Sequence, residues 1–139
     1  MAALSGITAV RPTSSTTLQA GGPVVYGATI SAGQSAYKDS SDSKHKLADS
    51  NVSAALAAAV GISITPGVDT GYGYVATGGA VVLVGTTMVV GTVYCVGSTA
   101  GSIVPISDLT TADYVTILGT ASTSTQLDLA IKATGIIKP

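Results

Sequence analysis

Two side chains that often perform catalysis or bind transition metals, His45 and Cys95, each occur once in the sequence. His45 lies between Lys44 and Lys46, and two adjacent cations disfavour protonation of the imidazole and offer it no carboxylate partner. One histidine and one cysteine are too few ligands for a closed zinc site. We therefore expect His45 to be a solvent-exposed loop residue and Cys95 to be a buried small hydrophobe.

The seven carboxylates are all aspartates, and their spacing is not typical of acid and base catalysis. The cluster Asp39-Ser40-Ser41-Asp42 lacks the spacing and the terminal Glu of a calcium loop, and it predicts a solvated turn. Four further aspartates lie near Gly, Ser or Thr, where Asp commonly caps a turn. They are Asp69, Asp108, Asp113 and Asp128. We expect no catalytic residues, no metal ligands and no enzymatic activity.

The segment Gly71-Tyr72-Gly73-Tyr74-Val75-Ala76 matches a dinucleotide-binding fingerprint loosely, but no helical pattern follows it and no βαβ unit surrounds it. We therefore expect no cofactor. The glycines are better explained by a bulge or a tight bend beside Tyr72 and Tyr74, whose rings could face solvent, a partner or the core.

The composition is poor in charge. Charged residues make up 9% of the 139 residues, against roughly 25% in an average soluble domain, and the apolar fraction is an ordinary 46%. Six Lys and Arg against seven Asp give a net charge of -1, and the cations are dispersed, so we expect no nucleic-acid partner. A surface of hydroxyl and methyl groups opposes association only weakly. The composition therefore favours a protein that functions assembled.

Two observations bear on localisation. The N-terminus has neither the basic start nor the continuous apolar stretch of a signal peptide, which predicts synthesis in a cytoplasm. Residues 72–107 carry no formal charge, but Gly and Thr interrupt their most apolar part, residues 79–96. A membrane-spanning helix needs about 20 predominantly apolar residues. We interpret the segment as short buried strands and expect no membrane partner.

Short apolar runs recur between Gly, Ser and Asp clusters from Pro23 onward, a pattern typical of antiparallel strands. The runs are residues 24–30, 35–37, 61–65, 72–77, 80–84, 87–90, 92–96, 102–106, 114–118 and 126–132. Residues 52–60 are rich in Ala, follow Asp49-Ser50-Asn51 and precede Gly61, which predicts a short helix or a helical turn. The sequence therefore predicts a mainly β fold, a single-domain antiparallel β-sandwich or barrel with one short helix.

The last apolar run alternates in the manner of a half-buried strand. Leu127, Leu129 and Ile131 fall on one face, and polar or small residues fall on the other. We expect this strand to pair with residues 114–118 through a turn at residues 119–124.

Residues 1–22 are small, polar and irregular in pattern, and we divide the chain into this N-terminal arm and a β domain over residues 23–139. The arm is either a mobile tail or a segment that docks on a neighbouring subunit. In the second case its interface residues would be Leu4, Ile7, Val10, Arg11 and Leu18.

Two parts of the chain share the order strand, polar turn, strand. One runs from Gly33-Gln34-Ser35-Ala36-Tyr37 to Lys46-Leu47-Ala48-Asp49, and the other runs from Gly91-Thr92-Val93-Tyr94 through residues 98–101 to Ile103-Val104-Pro105. Together with residues 113–121, 127–131 and 134–135, the arrangement over residues 33–135 resembles bacteriophage head decoration proteins, also called capsid cement proteins.

The resemblance implies a structural virion protein that binds the outer surface of the expanded phage capsid and stabilises junctions between coat subunits. Its partners would be the major capsid protein and its own copies, as a trimer in preference to a dimer. It would be made in the host cytoplasm and reside on the outer surface of the virion. The resemblance brings no residue-level capsid-binding motif.

An alternative is a phage fibre or host-recognition module that binds surface glycans. Exposed tyrosine rings could stack on sugar rings in such a module. The tyrosines concerned are Tyr26, Tyr37, Tyr72, Tyr74 and Tyr114. The two functions differ in the exposure that they require of these rings.

Overall fold

A computed structural model of the chain describes residues 3–12, 19–20 and 23–139. The fold is mainly β with one short helix, as predicted, and its curled antiparallel sheet forms a half-barrel. The strands are Ala9–Pro12 (β1), Gln19–Ala20 (β2), Val24–Val25 (β3), Ser35–Lys38 (β4), His45–Leu47 (β5), Ala59–Ser63 (β6), Tyr72–Gly73 (β7), Val75–Val84 (β8), Val93–Val96 (β9), Ile103–Pro105 (β10), Tyr114–Ala121 (β11) and Gln126–Ile137 (β12). The helix is Ala54–Ala57 (α1), and Ile106–Asp108 forms a 3-10 turn.

The main sheet has the strand order β10-β9-β11-β12-β8-β6-β4-β5, and β1 and β2 also pair with β8. Strands β3 and β7 form a separate two-stranded ribbon. The long strand β8 joins the two halves of the sheet, because its first residues pair with β6 and its later residues pair with β12. Gly79 begins the part that pairs with β12, opposite Leu129, and its φ of +79° is a backbone conformation that favours glycine.

The core is filled by aliphatic side chains and Tyr rather than by Phe or Trp, which the sequence lacks. Most buried apolar residues form one cluster inside the curled sheet. Its larger members are Val10, Tyr37, Ile62, Val81, Leu83, Met88, Tyr94, Val96, Ile103, Leu118, Leu127 and Leu129. β-Branched and Leu side chains pack well against a pleated surface, which suits this sheet.

Helix α1 lies where a short helix or a helical turn is predicted. It covers one turn, and Ser53 caps its start by accepting a hydrogen bond from the Leu56 amide at 3.2 Å. The helix ends before Val60, because Ala59–Ser63 pairs with β4 and β8. Gly61 lies inside this strand, where a Cβ would overlap the Ala76 carbonyl oxygen. The glycine therefore allows close approach of two strands and does not end a helix.

Most predicted strands are observed with shifted ends. The predicted strand at residues 87–90 is wrong, because this segment forms a connection between β8 and β9. The predicted pairing of residues 126–132 with residues 114–118 is confirmed, since Lys132 lies opposite Ile117. The predicted turn at residues 119–124 is wrong for its first three residues, because β11 continues to Ala121, which lies opposite Leu127. The alternation is also confirmed, since Leu127 and Leu129 are buried whereas Asp128 is exposed.

The N-terminal segment shares the sheet with the rest of the chain. Val10 lies opposite Leu83 in the β1–β8 pair, and Gln19 lies opposite Gly78 in the β2–β8 pair. The Thr8 amide also donates a hydrogen bond to the Val84 carbonyl at 2.8 Å. The predicted boundary at residue 22 thus divides segments that pair with the same strand.

Candidate interaction surfaces

The structure describes four of the five predicted interface residues, and Leu18 lies outside the described residues. Val10 is 5% exposed in the core cluster, and Leu4 and Ile7 are partly buried against that cluster. Arg11 is exposed. Pairing of β1 with β8 turns the Val10 side chain inward, so Val10 contacts the chain's own core and not the surface.

Large aliphatic side chains lie exposed at two places where they are adjacent in sequence. Val89 and Val90 lie in the connection before β9, and Val90 is 62% exposed. Ile136 and Ile137 end β12, and Ile136 is 66% exposed. Exposed large aliphatic side chains that other subunits can cover are candidates for contact surfaces. We call them the Val89–Val90 surface and the Ile136–Ile137 surface.

Formal charge is concentrated at the turn between β4 and β5. Five of the thirteen charged residues of the sequence fall within residues 38–46. Lys46 Nζ lies 2.7 Å from Asp39 Oδ2 and 3.1 Å from Asp42 Oδ2. The hydrogen bonds from Lys46 and Ser41 hold the pKa of Asp39 well below its usual range. The predicted solvated turn is therefore organised by an ion-pair network that suits a surface facing water.

His45 is not the exposed loop residue that the sequence predicts. It lies in β5 opposite Lys38, is 8% exposed, and its Nδ1 has no hydrogen-bond partner. Its carbonyl accepts a hydrogen bond from the Gly27 amide at 2.8 Å. Pairing of the backbone on both sides turns the ring inward. Burial, and then the charge of Lys38, lower the pKa of His45.

This environment predicts that stability falls in mild acid. Because the pKa of His45 is lowered in the folded state, the unfolded chain binds the proton more readily. The contribution of neutral His45 to the free energy of unfolding is therefore complete above about pH 6.5 and is lost as the pH falls below it. We expect the melting temperature of the wild-type protein to decrease between about pH 7 and about pH 5. In His45→Gln this decrease should be smaller. Equal slopes in thermal unfolding of the two proteins would contradict the prediction.

Cys95 is fully buried, as predicted, and burial raises the pKa of its thiol to about 11. Asp113 is also buried, and its Oδ2 accepts hydrogen bonds from the Thr110 amide at 2.8 Å and the Thr110 hydroxyl at 3.0 Å. This carboxylate therefore caps a turn, as the sequence predicts. Among residues 3–12, 19–20 and 23–139, no group of three or more His, Cys, Asp or Glu side chains is arranged to hold a metal ion.

The tyrosines divide sharply by exposure. Tyr26, Tyr37 and Tyr94 are buried, and Tyr114 is partly buried in β11. Tyr72 and Tyr74 face solvent with 73% and 44% of their surface exposed. Of the five tyrosines considered for stacking on sugar rings, Tyr72 and Tyr74 are therefore the two with exposed rings. We call Tyr72 and Tyr74 the tyrosine pair.

A shallow cavity of about 270 Å³ lies beside the N-terminal segment. Residues 4–7, 31–34 and 99–103 line it. The Leu4 amide donates a hydrogen bond to the Ile103 carbonyl at 2.9 Å, and the Gln34 side chain accepts one from the Ser31 amide at 2.8 Å. The first bond holds the N-terminal segment against β10, and the second stabilises the loop at residues 31–34 on another wall of the cavity.

Comparison with known proteins gives no assignment. No protein-family model matches this sequence, and no curated protein matches it. The resemblance to phage head decoration proteins therefore stays a prediction from the sequence. Within the described parts of the chain, no helix has the length and apolar character needed to cross a bilayer.

Proposed function

We propose that the protein is a structural virion component that binds the outer surface of an expanded phage capsid and stabilises junctions between coat subunits. The observation that carries the proposal is the exposure of the Val89–Val90 and Ile136–Ile137 surfaces on a chain with 9% charged residues. Exposure of such apolar surfaces to water is unfavourable, and contact with other subunits buries them. Its sequence resemblance to decoration proteins adds to this support.

The charged turn supports the same arrangement. With five charged residues at residues 38–46 and aliphatic pairs elsewhere, the turn suits the side that faces water after assembly. A specific interface buries about 800 Å² on each partner, and several copies of a modest interface bind together by avidity. We propose the major capsid protein and further copies of this chain, as a trimer in preference to a dimer, as the partners. The protein would be made in the host cytoplasm and reside on the outer surface of the virion.

A co-sedimentation assay tests this function. We expect the purified protein to bind expanded capsids of its own phage saturably and to ignore unassembled coat protein. Binding should change little with salt, because contacts between uncharged groups are screened less than ion pairs. Binding to neither form of the coat protein would contradict the proposal.

Substitutions in the two aliphatic surfaces identify which of them contacts the capsid. Val90→Lys or Ile136→Lys should weaken capsid binding about tenfold or more, because a charge must be desolvated in an apolar contact. Ser40→Lys places the same charge in the exposed turn between β4 and β5, which we expect to face water after assembly, and we expect it to bind like the wild type. If all three variants bind equally well, neither aliphatic surface meets the shell.

A further inference from the structure

A second binding function is carried by the tyrosine pair. We propose that Tyr72 and Tyr74 form a site for the hexopyranose rings of a neutral polysaccharide. This function is independent of capsid binding, and it uses residues outside the Val89–Val90 and Ile136–Ile137 surfaces.

The two rings share one face of an extended segment. Exposure alternates along it, since Tyr72 and Tyr74 are exposed whereas Gly73 and Val75 are buried. Residues two apart in an extended chain lie about 7 Å apart on the same face. The spacing lets both tyrosines contact one sugar chain.

The backbone beneath the tyrosine pair is firmly held. The Tyr74 amide donates to Thr65 Oγ1 at 2.9 Å, and the Tyr74 carbonyl accepts from the Ile64 amide at 2.8 Å. Below them the buried ring of Tyr26 packs against Gly73 so closely that a Cβ at Gly73 would overlap it. A fixed backbone lowers the entropy lost when the exposed rings bind a ligand.

Groups around the tyrosine pair complement a sugar. Val25 lies opposite Tyr72 in the β3–β7 ribbon and extends the apolar surface. Asp69 and Thr70 are exposed in the turn just before Tyr72, where they can accept and donate hydrogen bonds. A hexopyranose ring has an apolar C–H face and a rim of hydroxyls, so it can stack on tyrosine while its hydroxyls reach polar groups.

The charged groups near the tyrosine pair distinguish neutral from anionic sugars. Asp69 is the only charged residue in the sequence between residues 50 and 107. An anionic sugar would be repelled by this carboxylate, and the Lys46 side chain, which lies against Gly27 in the neighbouring segment, already pairs with Asp39 and Asp42. The aromatic character also differs from the aliphatic pairs assigned to subunit contacts. These features favour a neutral glycan over an acidic one or a second copy of the chain.

Titration of the full-length ¹⁵N-labelled protein tests the site. The probes are cellohexaose, maltohexaose and mannohexaose, with oligosialic acid as the acidic comparison. We expect at least one neutral probe at millimolar concentration to shift the amide signals of residues 68–74, and oligosialic acid to leave them unchanged. Absence of shifts with all three neutral probes overturns the proposal, whatever the result of the capsid assay.

Variants separate stacking from a structural effect. Tyr72→Ala and Tyr74→Ala should each weaken binding of the active probe about tenfold, since each removes one stacked ring. Tyr72→Phe keeps the ring and should retain most of the affinity, and Ile136→Ala should bind like the wild type. The proposal fails if Tyr72→Ala binds the probe normally, or if the sedimentation coefficient shows that Tyr72→Ala removes self-association instead.

Discussion

Replacement of Tyr26 by Ala is expected to destabilise the protein by about 3–5 kcal/mol, the usual loss for a large aromatic side chain in a core. Tyr26 is fully buried, its ring packs against Gly67 and Gly73, and its hydroxyl donates to the Thr65 carbonyl at 2.7 Å. Removal of the ring leaves a cavity beneath the tyrosine pair, which the neighbouring backbone can fill only in part. Urea unfolding followed by circular dichroism measures the loss.

Tyr26→Phe is the matched control, because it keeps the ring and removes the hydrogen bond to Thr65. We expect it to cost about 1–3 kcal/mol, since the Thr65 carbonyl loses a buried donor. Equal destabilisation by the two variants would contradict the claim that packing dominates. Tyr26→Ala should also weaken glycan binding in the folded protein, because Gly73 loses its support.

Deletion of residues 1–12 is expected to destabilise the protein on the order of 4 kcal/mol, because burying a Val, Leu or Ile side chain contributes about 1.5–3 kcal/mol and Leu4 and Ile7 are only partly buried. Val10 leaves the core cluster, and the β1 side of β8 loses its hydrogen bonds. An uncovered strand edge also promotes aggregation. Thermal unfolding at two protein concentrations measures the loss and separates it from any change in oligomerisation.

Arg11→Ala is the control for the deletion, since Arg11 is exposed and its removal should change stability by about 0.5 kcal/mol or less. A deletion variant that keeps wild-type stability and loses only oligomerisation or capsid binding would overturn the prediction. That outcome would instead support the arm that docks on a neighbouring subunit.

The proposals for capsid and glycan binding are separable because they involve different residues. Substitutions at Val90 or Ile136 test the first, and substitutions at Tyr72 or Tyr74 test the second. The variants of each surface therefore serve as controls in the assay for the other surface. A chain that binds both would hold a shell together through aliphatic contacts and present aromatic rings to glycans.

Features that depend on local pattern could be predicted from the sequence. Alternation of apolar and polar residues after Gln126 places Leu127 and Leu129 on a buried face, because successive strand residues point to opposite sides. The apolar neighbours of Cys95 predicted its burial, and turn chemistry predicted the capping role of Asp113. The mainly β fold class follows from many such short runs.

Features that depend on partners distant in sequence could not be predicted in this way, because they arise from long-range pairing and packing. His45 has polar neighbours in sequence, yet pairing with β4 and the Gly27 amide buries it. Ala59 and Val60 belong to a helix-favouring segment, yet they begin β6, because pairing with β4 supplies ladder hydrogen bonds that outweigh a helix propensity of less than about 1 kcal/mol per residue. Likewise, composition does not separate Tyr26 from Tyr72. Long-range packing buries one ring and leaves the other exposed, and that difference locates the proposed glycan site.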